Sequence, residues 1–289
     1  MSERISLLIL DFDNTLFDWF HTWYHSFSPF LDELLKISGV PREVLIDEIR
    51  AVHQAHGTSE YSFLLQEVPS LSAGLGDATL LQKYDSATLV FREARRPNLS
   101  TYPDVVPVLQ EIRNQGCKIA IFTESKGFYS SYRLRRLGLD PLVDALFSPD
   151  DHSIPDEINL ATHRTKDESE YGLKHARHIT LGATMIKPAP DVLLSIVTEF
   201  GAKISETAYV GDSLPKDIQM AQSAGIIDVF AKYGVARDNP KYRLLREVSH
   251  WTKEMVEAEK PAQNTHVIPT HELSRFSDIL SILNFGSNK

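Results

Sequence analysis

Two aspartates separated by a single residue, Asp11 and Asp13, follow an apolar run near the start of the chain. Carboxylates at this spacing repel each other unless a cation or a shared proton relieves the charge. The apolar run, Ile5–Leu10, has the composition of a strand buried on both faces, as at the centre of a parallel sheet. Because open α/β sheets bind ligands at the carboxyl ends of their strands, the pair predicts a functional site.

Polar residues of complementary types occupy three further positions of the same kind. Thr123 ends one apolar run, Lys187 stands just before a predicted helix, and Asp212 and Asp217 follow the run that ends at Gly211. In a parallel sheet these positions face one crevice. A nucleophilic carboxylate, a second carboxylate, a hydroxyl, an ammonium group and a metal-binding acid would then converge there.

The elements that must position these residues are visible as strand-like runs that alternate with helical periodicity. This alternation predicts right-handed crossovers and therefore an α/β fold with a doubly wound parallel sheet. The predicted strands are Ile5–Leu10, Lys118–Thr123, Ala145–Phe147, Ala208–Gly211, Asp228–Ala231 and His266–Ile268, with a further short one at His178–Gly182. The predicted helices run from Pro103 to Gly116 and over Gly127–Leu137, Pro190–Phe200, Leu214–Ala224 and His271–Leu283.

Two segments interrupt the alternation. Residues 18–97 are mostly helical in pattern and predict an α-helical domain inserted after the first strand, with connections near Phe17–Asp18 and Arg96–Thr101. Residues 1–17 and 98–289 then form the α/β core. Within it, residues 149–185 are polar and weakly periodic, and a long segment of this kind is usually functional or mobile. This insert could cover the site, mediate dimer contacts, or do neither.

Composition excludes some classes of function. The chain has a formal net charge of −9, with 42% hydrophobic and 24% charged residues, values that fit a globular protein with a sizeable core. Phosphate backbones and anionic membranes attract clustered Lys and Arg, so we expect neither nucleic-acid nor membrane binding. A small phosphorylated substrate is compatible with this charge, because a metal and one lysine can set the local field.

The single cysteine, Cys117, lies in an apolar run and is interpreted as a small core residue. One cysteine fits a reducing compartment, and the run Ile5–Leu10 is too short for a signal peptide before it meets acids. We therefore expect a cytoplasmic protein, either a monomer or a homodimer.

The four polar motifs, taken in order, resemble those of the haloacid dehalogenase-like hydrolase superfamily. The family's motifs are an Asp-x-Asp-x-Thr, a Ser or Thr, a Lys, and a Gly-Asp-x-x-x-x-Asp, and all four are intact here. The matching core covers about two thirds of the chain. A helical insertion directly after the first motif also matches the family's cap domain, so the resemblance implies a Rossmann-like core with a helical cap.

The resemblance implies roles for the motif residues. Asp11 would attack phosphorus to give an aspartyl-phosphate, and Asp13 would protonate the leaving oxygen and then activate water. Thr123 would donate a hydrogen bond to a phosphoryl oxygen, and Lys187 would offset negative charge. The implied ligands of Mg²⁺ are the carboxylates of Asp11 and Asp212, the backbone carbonyl of Asp13, and Asp217, which would alternatively orient Lys187 or a metal-bound water.

Asp13 decides between branches of the superfamily. Dehalogenases and phosphonatases lack an aspartate at this position, so its presence favours transfer from an oxygen ester. The expected activity is that of a Mg²⁺-dependent phosphatase acting on a small phosphorylated metabolite. The alternatives are a phosphomutase of the same superfamily and a non-catalytic interaction protein that keeps the fold.

Candidate substrate contacts lie beside the motifs. They are Thr15, Glu124, Ser125, Trp19 and Phe20. The aromatic residues between Phe17 and Phe27 more simply pack the core of the helical domain. Histidine pairs at helical spacing lack the accompanying ligands of a zinc motif. The basic residues Arg133, Arg135 and Arg136 stand late in a predicted helix, where cations favour the negative end of the dipole.

Overall fold

Strand β1 lies at the centre of the molecule, buried on both faces, as its uninterrupted apolar sequence requires. The computed structural model describes residues 4–156, 158, 160–163, 167–182, 186–258 and 266–286. Seven parallel strands form one sheet in the order β4-β3-β2-β1-β5-β6-β7. The strands are β1 Leu7–Leu10, β2 Lys118–Phe122, β3 Ala145–Pro149, β4 Arg177–Leu181, β5 Thr207–Gly211, β6 Ile227–Ala231 and β7 His271–Leu273. The predicted parallel α/β fold is confirmed.

Helices cover both faces of this sheet and bury two apolar clusters against it. One cluster contains Leu109 and Ile112 with Leu8 and Leu10, and the other contains Leu193 and Ile196 with the opposite face of the strands. The helices outside the insertion are α7 Val105–Asn114, α8 Gly127–Arg136, α9 Leu160–His163, α10 Pro190–Glu199, α11 Gln219–Ser223, α12 Tyr242–Val248, α13 Lys253–Ala258 and α14 Ile279–Ile282.

Six helices between β1 and α7 surround a separate apolar cluster. The first of them starts at the N-cap Asp18, whose carboxylate accepts a hydrogen bond from the N–H of His21 at 2.8 Å, and ends at Gly39 in the left-handed conformation. The six are α1 Trp19–Ser38, α2 Arg42–His56, α3 Leu64–Glu67, α4 Pro69–Ser72, α5 Asp77–Lys83 and α6 Asp85–Asn98.

Helix α12 packs on this helical cluster, although it follows β6 in sequence. Its buried residues Tyr242, Leu245 and Val248 join the cluster. The backbone carbonyl of Val248 accepts a hydrogen bond from Nδ1 of His53 at 2.6 Å. The segment between β6 and β7 is thereby attached to the helices that follow β1.

The last predicted strand, at His266–Ile268, was placed wrongly. The structure has no strand at these residues; β7 begins at His271, where a helix was expected, and α14 is confined to Ile279–Ile282. Asp228 explains the placement, because its carboxylate accepts hydrogen bonds from the N–H and the hydroxyl of Thr270 and fixes the chain beside β6 just before β7. The short strand expected at His178–Gly182 is confirmed as β4.

Across the described ranges, no helix combines the length and the apolar character needed to cross a membrane.

Candidate active site

Asp11 leaves the end of β1 and is held by two side chains from other parts of the chain. Nζ of Lys187 lies 2.5 Å from its Oδ1, and the hydroxyl of Thr15 donates to its Oδ2 at 3.0 Å. Burial raises the pKa of the Asp11 carboxyl to about 7, against the opposing effect of Lys187. The carboxylate is therefore oriented but poorly solvated, and a nearby cation would favour its ionised form.

Lys187 bridges two carboxylates. Its Nζ also donates to Oδ1 of Asp217 at 2.9 Å, and the hydroxyl of Tyr209 on β5 donates to the same oxygen at 2.8 Å. The second oxygen of Asp217 accepts from the backbone N–H of Ser213 at 3.0 Å. Burial alone would lower the pKa of Lys187, but Asp11 and Asp217 raise it well above its usual value. The lysine is a fixed positive charge next to Asp11.

Gly211 allows Asp217 to approach the end of β5. A Cβ atom at this glycine would lie 2.3 Å from Cγ of Asp217, closer than any real contact. The glycine of the fourth motif is thus explained by packing against the aspartate six residues further on. A larger residue here would displace Asp217 from Lys187.

Three carboxylates lie close enough together to hold a metal ion. Oxygen atoms of Asp11, Asp212 and Asp217 all lie within 4.8 Å of one another. The pKa of Asp212 is raised well above its usual value, first by burial and then by Asp11 and Asp217. Because hard oxygen ligands suit Mg²⁺ and the cluster carries excess negative charge, this site fits a divalent cation.

Asp13 is held by two side chains from the segment that follows β2. The hydroxyl of Ser125 donates to Oδ2 of Asp13, and Nη1 of Arg133 lies 3.5 Å from its Oδ1. Burial raises the pKa of Asp13, while Arg133 acts in the opposite direction. A carboxyl group whose pKa is raised holds its proton more readily, as a general acid must.

Arg133 connects this aspartate to the helical insertion. Its side chain is fully buried, and its Nη2 donates to Oε1 of Glu60, which lies between α2 and α3. The other oxygen of Glu60 accepts from the indole N–H of Trp19 at 2.8 Å, and Nη2 of Arg95 lies 3.8 Å from Oε1. Contacts from Asp13 to Arg133 and from Arg133 to Glu60 therefore connect the sheet to the helical insertion. The arginine in the middle is shielded from solvent.

The residues after β2 have different surroundings. Thr123 is buried, and its hydroxyl oxygen accepts from the N–H of Ser125 at 3.0 Å. The carboxylate of Glu124 accepts from Nζ of Lys216 at 2.7 Å. Ser125 thus lies between Thr123 and Asp13, whereas Glu124 faces a lysine from the turn after β5.

Asn14, between Asp13 and Thr15, has an unusual backbone conformation. Its φ is 58°, in the left-handed region that glycine and, less often, asparagine adopt. Its side-chain oxygen accepts from the N–H of Phe20 at 3.0 Å. The residue thus turns the chain after β1 and holds the start of α1.

A cavity of about 500 Å³ lies between the helical insertion, α8 and the insert after β3. Trp23 and Phe27 line it, whereas the predicted contacts Trp19 and Phe20 do not. Trp19 instead binds Glu60, and the ring of Phe20 packs 5.0 Å from that of Tyr242. Residues of the polar insert also contribute to the lining; they are Asp151, His152, Ile154, Leu160, His163 and Tyr171.

The structure therefore brings together Asp11, Asp13, Thr15, Thr123, Ser125, Lys187, Asp212 and Asp217 at the carboxyl ends of β1, β2 and β5. Sequence reasoning missed Glu60 and Tyr209 and read Arg133 only as a helix-end cation. One signal was available for Arg133, because it shares a helix face with the buried Ser130 and Leu134. No local pattern marked Glu60.

Comparison with known families identifies the class of protein that this fold and site define. A model of the haloacid dehalogenase-like hydrolase family matches residues 5–225, well over half of the chain, and a HAD-hydrolase-like model matches residues 185–269. The chain therefore belongs to the haloacid dehalogenase-like hydrolase family, as the motifs indicated.

Two curated relatives share the name glyceraldehyde 3-phosphate phosphatase. The protein from Methanopyrus kandleri is 26% identical over 153 residues, which cover 53% of this chain and 52% of the relative. The protein from Methanocaldococcus jannaschii is 24% identical over 164 residues, covering 55% of this chain and 58% of the relative. The chain spans a little over half the length of the curated relatives it matches.

Solved structures share the fold. A 2-haloacid dehalogenase from Pseudomonas syringae pv. Tomato aligns with 96% of this chain and 97% of its own at 20% identity, with a TM-score of 0.52. A HAD phosphatase from Thermococcus onnurineus aligns with 98% of this chain and 99% of its own at 18% identity, with a TM-score of 0.51. At these identities the likeness concerns the fold alone.

Proposed function

We propose that this protein is a Mg²⁺-dependent phosphatase that hydrolyses a small phosphorylated metabolite through an aspartyl-phosphate on Asp11. The observation that carries the proposal is the placement of Asp11 between Lys187 and the Asp212 carboxylate, with Asp13 two residues away. The names of the two curated relatives, which are phosphatases of a small phosphate ester, support the same reaction class.

The first half-reaction transfers the phosphoryl group to the protein. A carboxylate oxygen of Asp11 attacks phosphorus while the bond between phosphorus and the leaving oxygen breaks. Asp13 donates its proton to that oxygen, so the product departs as an alcohol. The hydrogen bond from Ser125 and the guanidinium of Arg133 hold Asp13 for this step.

The second half-reaction restores the protein. Asp13, now a carboxylate, takes a proton from water as the water oxygen attacks phosphorus. The bond between phosphorus and the Asp11 oxygen breaks, inorganic phosphate is released, and both aspartates return to their starting states.

Charge neutralisation is the main requirement, because an anion attacks an anionic group. Lys187, held between Asp11 and Asp217, supplies a fixed positive charge. The Thr123 hydroxyl is assigned to a phosphoryl oxygen. When bound, Mg²⁺ neutralises charge on the phosphoryl group and on the carboxylates.

The proposed metal ligands are the carboxylates of Asp11 and Asp212 and the backbone carbonyl of Asp13. Both oxygens of Asp217 already accept hydrogen bonds, from Lys187, Tyr209 and the N–H of Ser213. We therefore propose that Asp217 orients Lys187, or a metal-bound water, and does not bind the metal directly.

The proposal is tested with p-nitrophenyl phosphate and the variant Asp11→Asn. Wild-type protein should hydrolyse the ester, lose the activity in EDTA and regain it with added Mg²⁺. The variant should have no measurable turnover and an unchanged far-UV circular dichroism spectrum. Asp18→Asn, which alters only the N-cap of α1, serves as the control. Turnover by Asp11→Asn close to the wild-type rate would disprove the nucleophile assignment.

A further inference from the structure

A second lysine, Lys216, accompanies Lys187 at the carboxyl ends of the strands. Its Nζ donates to Oε2 of Glu124 at 2.7 Å, and 34% of the lysine side chain and 28% of the glutamate side chain are exposed. Ion pairs that water reaches in this way contribute little to stability. The contribution of this pair to folding is therefore small.

The pair crosses the end of the strand that carries the proposed nucleophile. Glu124 lies just beyond β2 and Lys216 lies in the turn after β5, and β1 is between these two strands in the sheet. Because neighbouring strands are about 4.8 Å apart, the two side chains can meet only across the end of β1. Asp11 directly follows that end. The pair therefore borders the place where a phosphoryl group would meet Asp11.

The turn after β5 directs two adjacent charged residues to different partners. It is a short π-helix, Leu214–Ile218, a kind of turn that is rare and frequently found at functional sites. Asp217 binds Lys187, whereas the residue before it, Lys216, binds Glu124. The two lysines of the site are thus connected through neighbouring residues of one turn.

The charges of the active site act on Lys216. Burial would lower the pKa of this lysine, but Glu124 raises it above its usual value. The charge of Lys187 also lowers this pKa, and that of Asp217 raises it. Lys216 is therefore within electrostatic range of Lys187, which itself lies 2.5 Å from Asp11.

The site needs more positive charge than Lys187 supplies. The motif aspartates and Glu124 bring negative charge to it, and a phosphoryl group adds up to two further charges. Transfer of that group requires the charge to be neutralised. A cation beside Lys187 meets part of this requirement.

We propose that Lys216 is a second phosphoryl-binding lysine of this site, and that Glu124 is the counter-ion that holds its ammonium group in place and limits the affinity for phosphate. This inference rests on the proposed function and adds a binding residue to the same site. An ammonium group has three donors, so Lys216 can bind a phosphoryl oxygen and keep its bond to Glu124. The two residues then have opposite effects on phosphate affinity, which is not expected of an ion pair that serves only the fold.

Calorimetric binding of inorganic phosphate in the presence of Mg²⁺ tests the proposal without turnover. Lys216→Met should weaken binding roughly tenfold, the loss expected for one charge-assisted hydrogen bond, and Lys216→Arg should recover part of it. Glu124→Gln should instead tighten binding about threefold, because a negative charge near the anion is removed. KM for p-nitrophenyl phosphate should rise in Lys216→Met and fall in Glu124→Gln.

The double variant Lys216→Met/Glu124→Gln separates direct contact from net charge. Its two side chains are uncharged, and the wild-type pair also sums to zero. It should nevertheless bind phosphate more weakly than wild type, because the donor is absent. Equal affinity of the double variant and wild type would overturn the direct contact.

A matched control is the ion pair at the opposite end of β5. Lys203 and Glu206 lie 2.6 Å apart just before this strand, with 76% and 30% of their side chains exposed. Lys203→Met and Glu206→Gln should each change phosphate affinity by less than about twofold, because the distance and salt screen their charges. Far-UV circular dichroism spectra of all the variants should match that of the wild type.

The outcomes separate this inference from the proposed function. Hydrolysis of p-nitrophenyl phosphate with phosphate affinity unchanged in Lys216→Met and Glu124→Gln, or lowered in both, would overturn the inference and leave the phosphatase intact. A loss in Lys216→Met with no change in Glu124→Gln would overturn the counter-ion assignment. Lys216-dependent phosphate binding without hydrolysis of any ester would support the binding role and overturn the phosphatase. Neither binding nor hydrolysis by the wild type would overturn both.

Discussion

Arg133 and Glu60 form a buried ion pair between α8, which packs on the sheet, and the helical insertion that follows β1. The arginine side chain has no exposed surface, and the same guanidinium lies 3.5 Å from Asp13. Burial of an arginine costs free energy of desolvation unless carboxylates pair with its charge. The helices and the proposed acid of the reaction are therefore joined through one side chain.

Removal of Arg133 should be strongly destabilising. Arg133→Met leaves Glu60 and Asp13 buried beside an uncharged side chain, and breaking a buried pair in this way costs about 3–5 kcal/mol. Urea unfolding followed by circular dichroism measures the change. The double variant Arg133→Met/Glu60→Leu should be more stable than Arg133→Met alone, because it no longer buries an unpaired Glu60.

The control for this pair is an exposed one. Arg243→Met breaks an ion pair with Glu247 in which 86% of the arginine side chain is exposed, and should cost less than about 1 kcal/mol. An Arg133→Met protein as stable as Arg243→Met would show that the buried pair contributes nothing to folding.

Asp13 should matter most when the leaving group is a poor one. In Asp13→Asn no proton is delivered to the departing oxygen, so kcat/KM for an alkyl ester such as glycerol 3-phosphate should fall by about 10²–10⁴-fold. p-Nitrophenolate leaves without protonation, so the fall for its ester should be less than about tenfold. Parallel steady-state assays give both values. An equal fall for the two esters would argue against Asp13 as the acid.

The same variant should show a burst of p-nitrophenolate. Because Asp13 is also assigned to water activation, its loss should slow release of phosphate from Asp11 more than formation of the aspartyl-phosphate. Rapid mixing of p-nitrophenyl phosphate with Asp13→Asn should then release one equivalent quickly, followed by slow turnover. A linear time course from the first turnover would place the defect in the first step.

Much of the site could be predicted from the sequence because its residues follow strands. Asp11, Thr123 and Asp212 each come directly after an apolar run, and parallel strands bring such positions to one edge. The local pattern and the sheet topology suffice to predict these positions, because each residue is placed by the strand that it follows. The same reasoning gave six of the seven strands.

Glu60 and Arg133 could not be predicted in this way, since each is stabilised by the other across 73 positions of sequence. A charged residue is expected at the surface, and only its distant partner makes burial acceptable. The misplaced strand has a similar cause. Val267 and Ile268 are apolar, but Ile268 is 76% exposed. The position of β7 instead depends on Asp228, which binds Thr270 from 42 residues earlier in the sequence.

Gly211→Ala should disturb the active site indirectly, by displacing the side chain of Asp217. The added methyl group would overlap Cγ of Asp217, which must then move away from Lys187 and Tyr209. We expect a loss of stability of about 1–3 kcal/mol and a lower kcat for p-nitrophenyl phosphate. Gly76→Ala is the control, because no atom lies within 4 Å of its added Cβ and its φ is −75°. Wild-type kcat in Gly211→Ala would show that the position of Asp217 is unimportant.

His53 should make the stability of the protein depend on pH. Its side chain is 1% exposed, and burial lowers its pKa to about 4 from an ordinary value of 6.5, although its Nδ1 donates to Val248. Below pH 6.5 the unfolded chain therefore takes up a proton that the folded chain does not bind until about pH 4. Stability from this group is fully present above the unfolded pKa and is lost as pH falls between these two values.

The size of this effect can be isolated by substitution. Lowering the pH from about 7.5 to about 5 should cost the wild-type protein roughly 2 kcal/mol more than it costs His53→Gln. Urea unfolding of both proteins at the two pH values gives the difference. His266→Gln, at an exposed position, should follow the wild-type protein. Equal pH dependence in wild type and His53→Gln would mean that His53 titrates alike in the folded and unfolded chains, which its burial and its hydrogen bond to Val248 argue against.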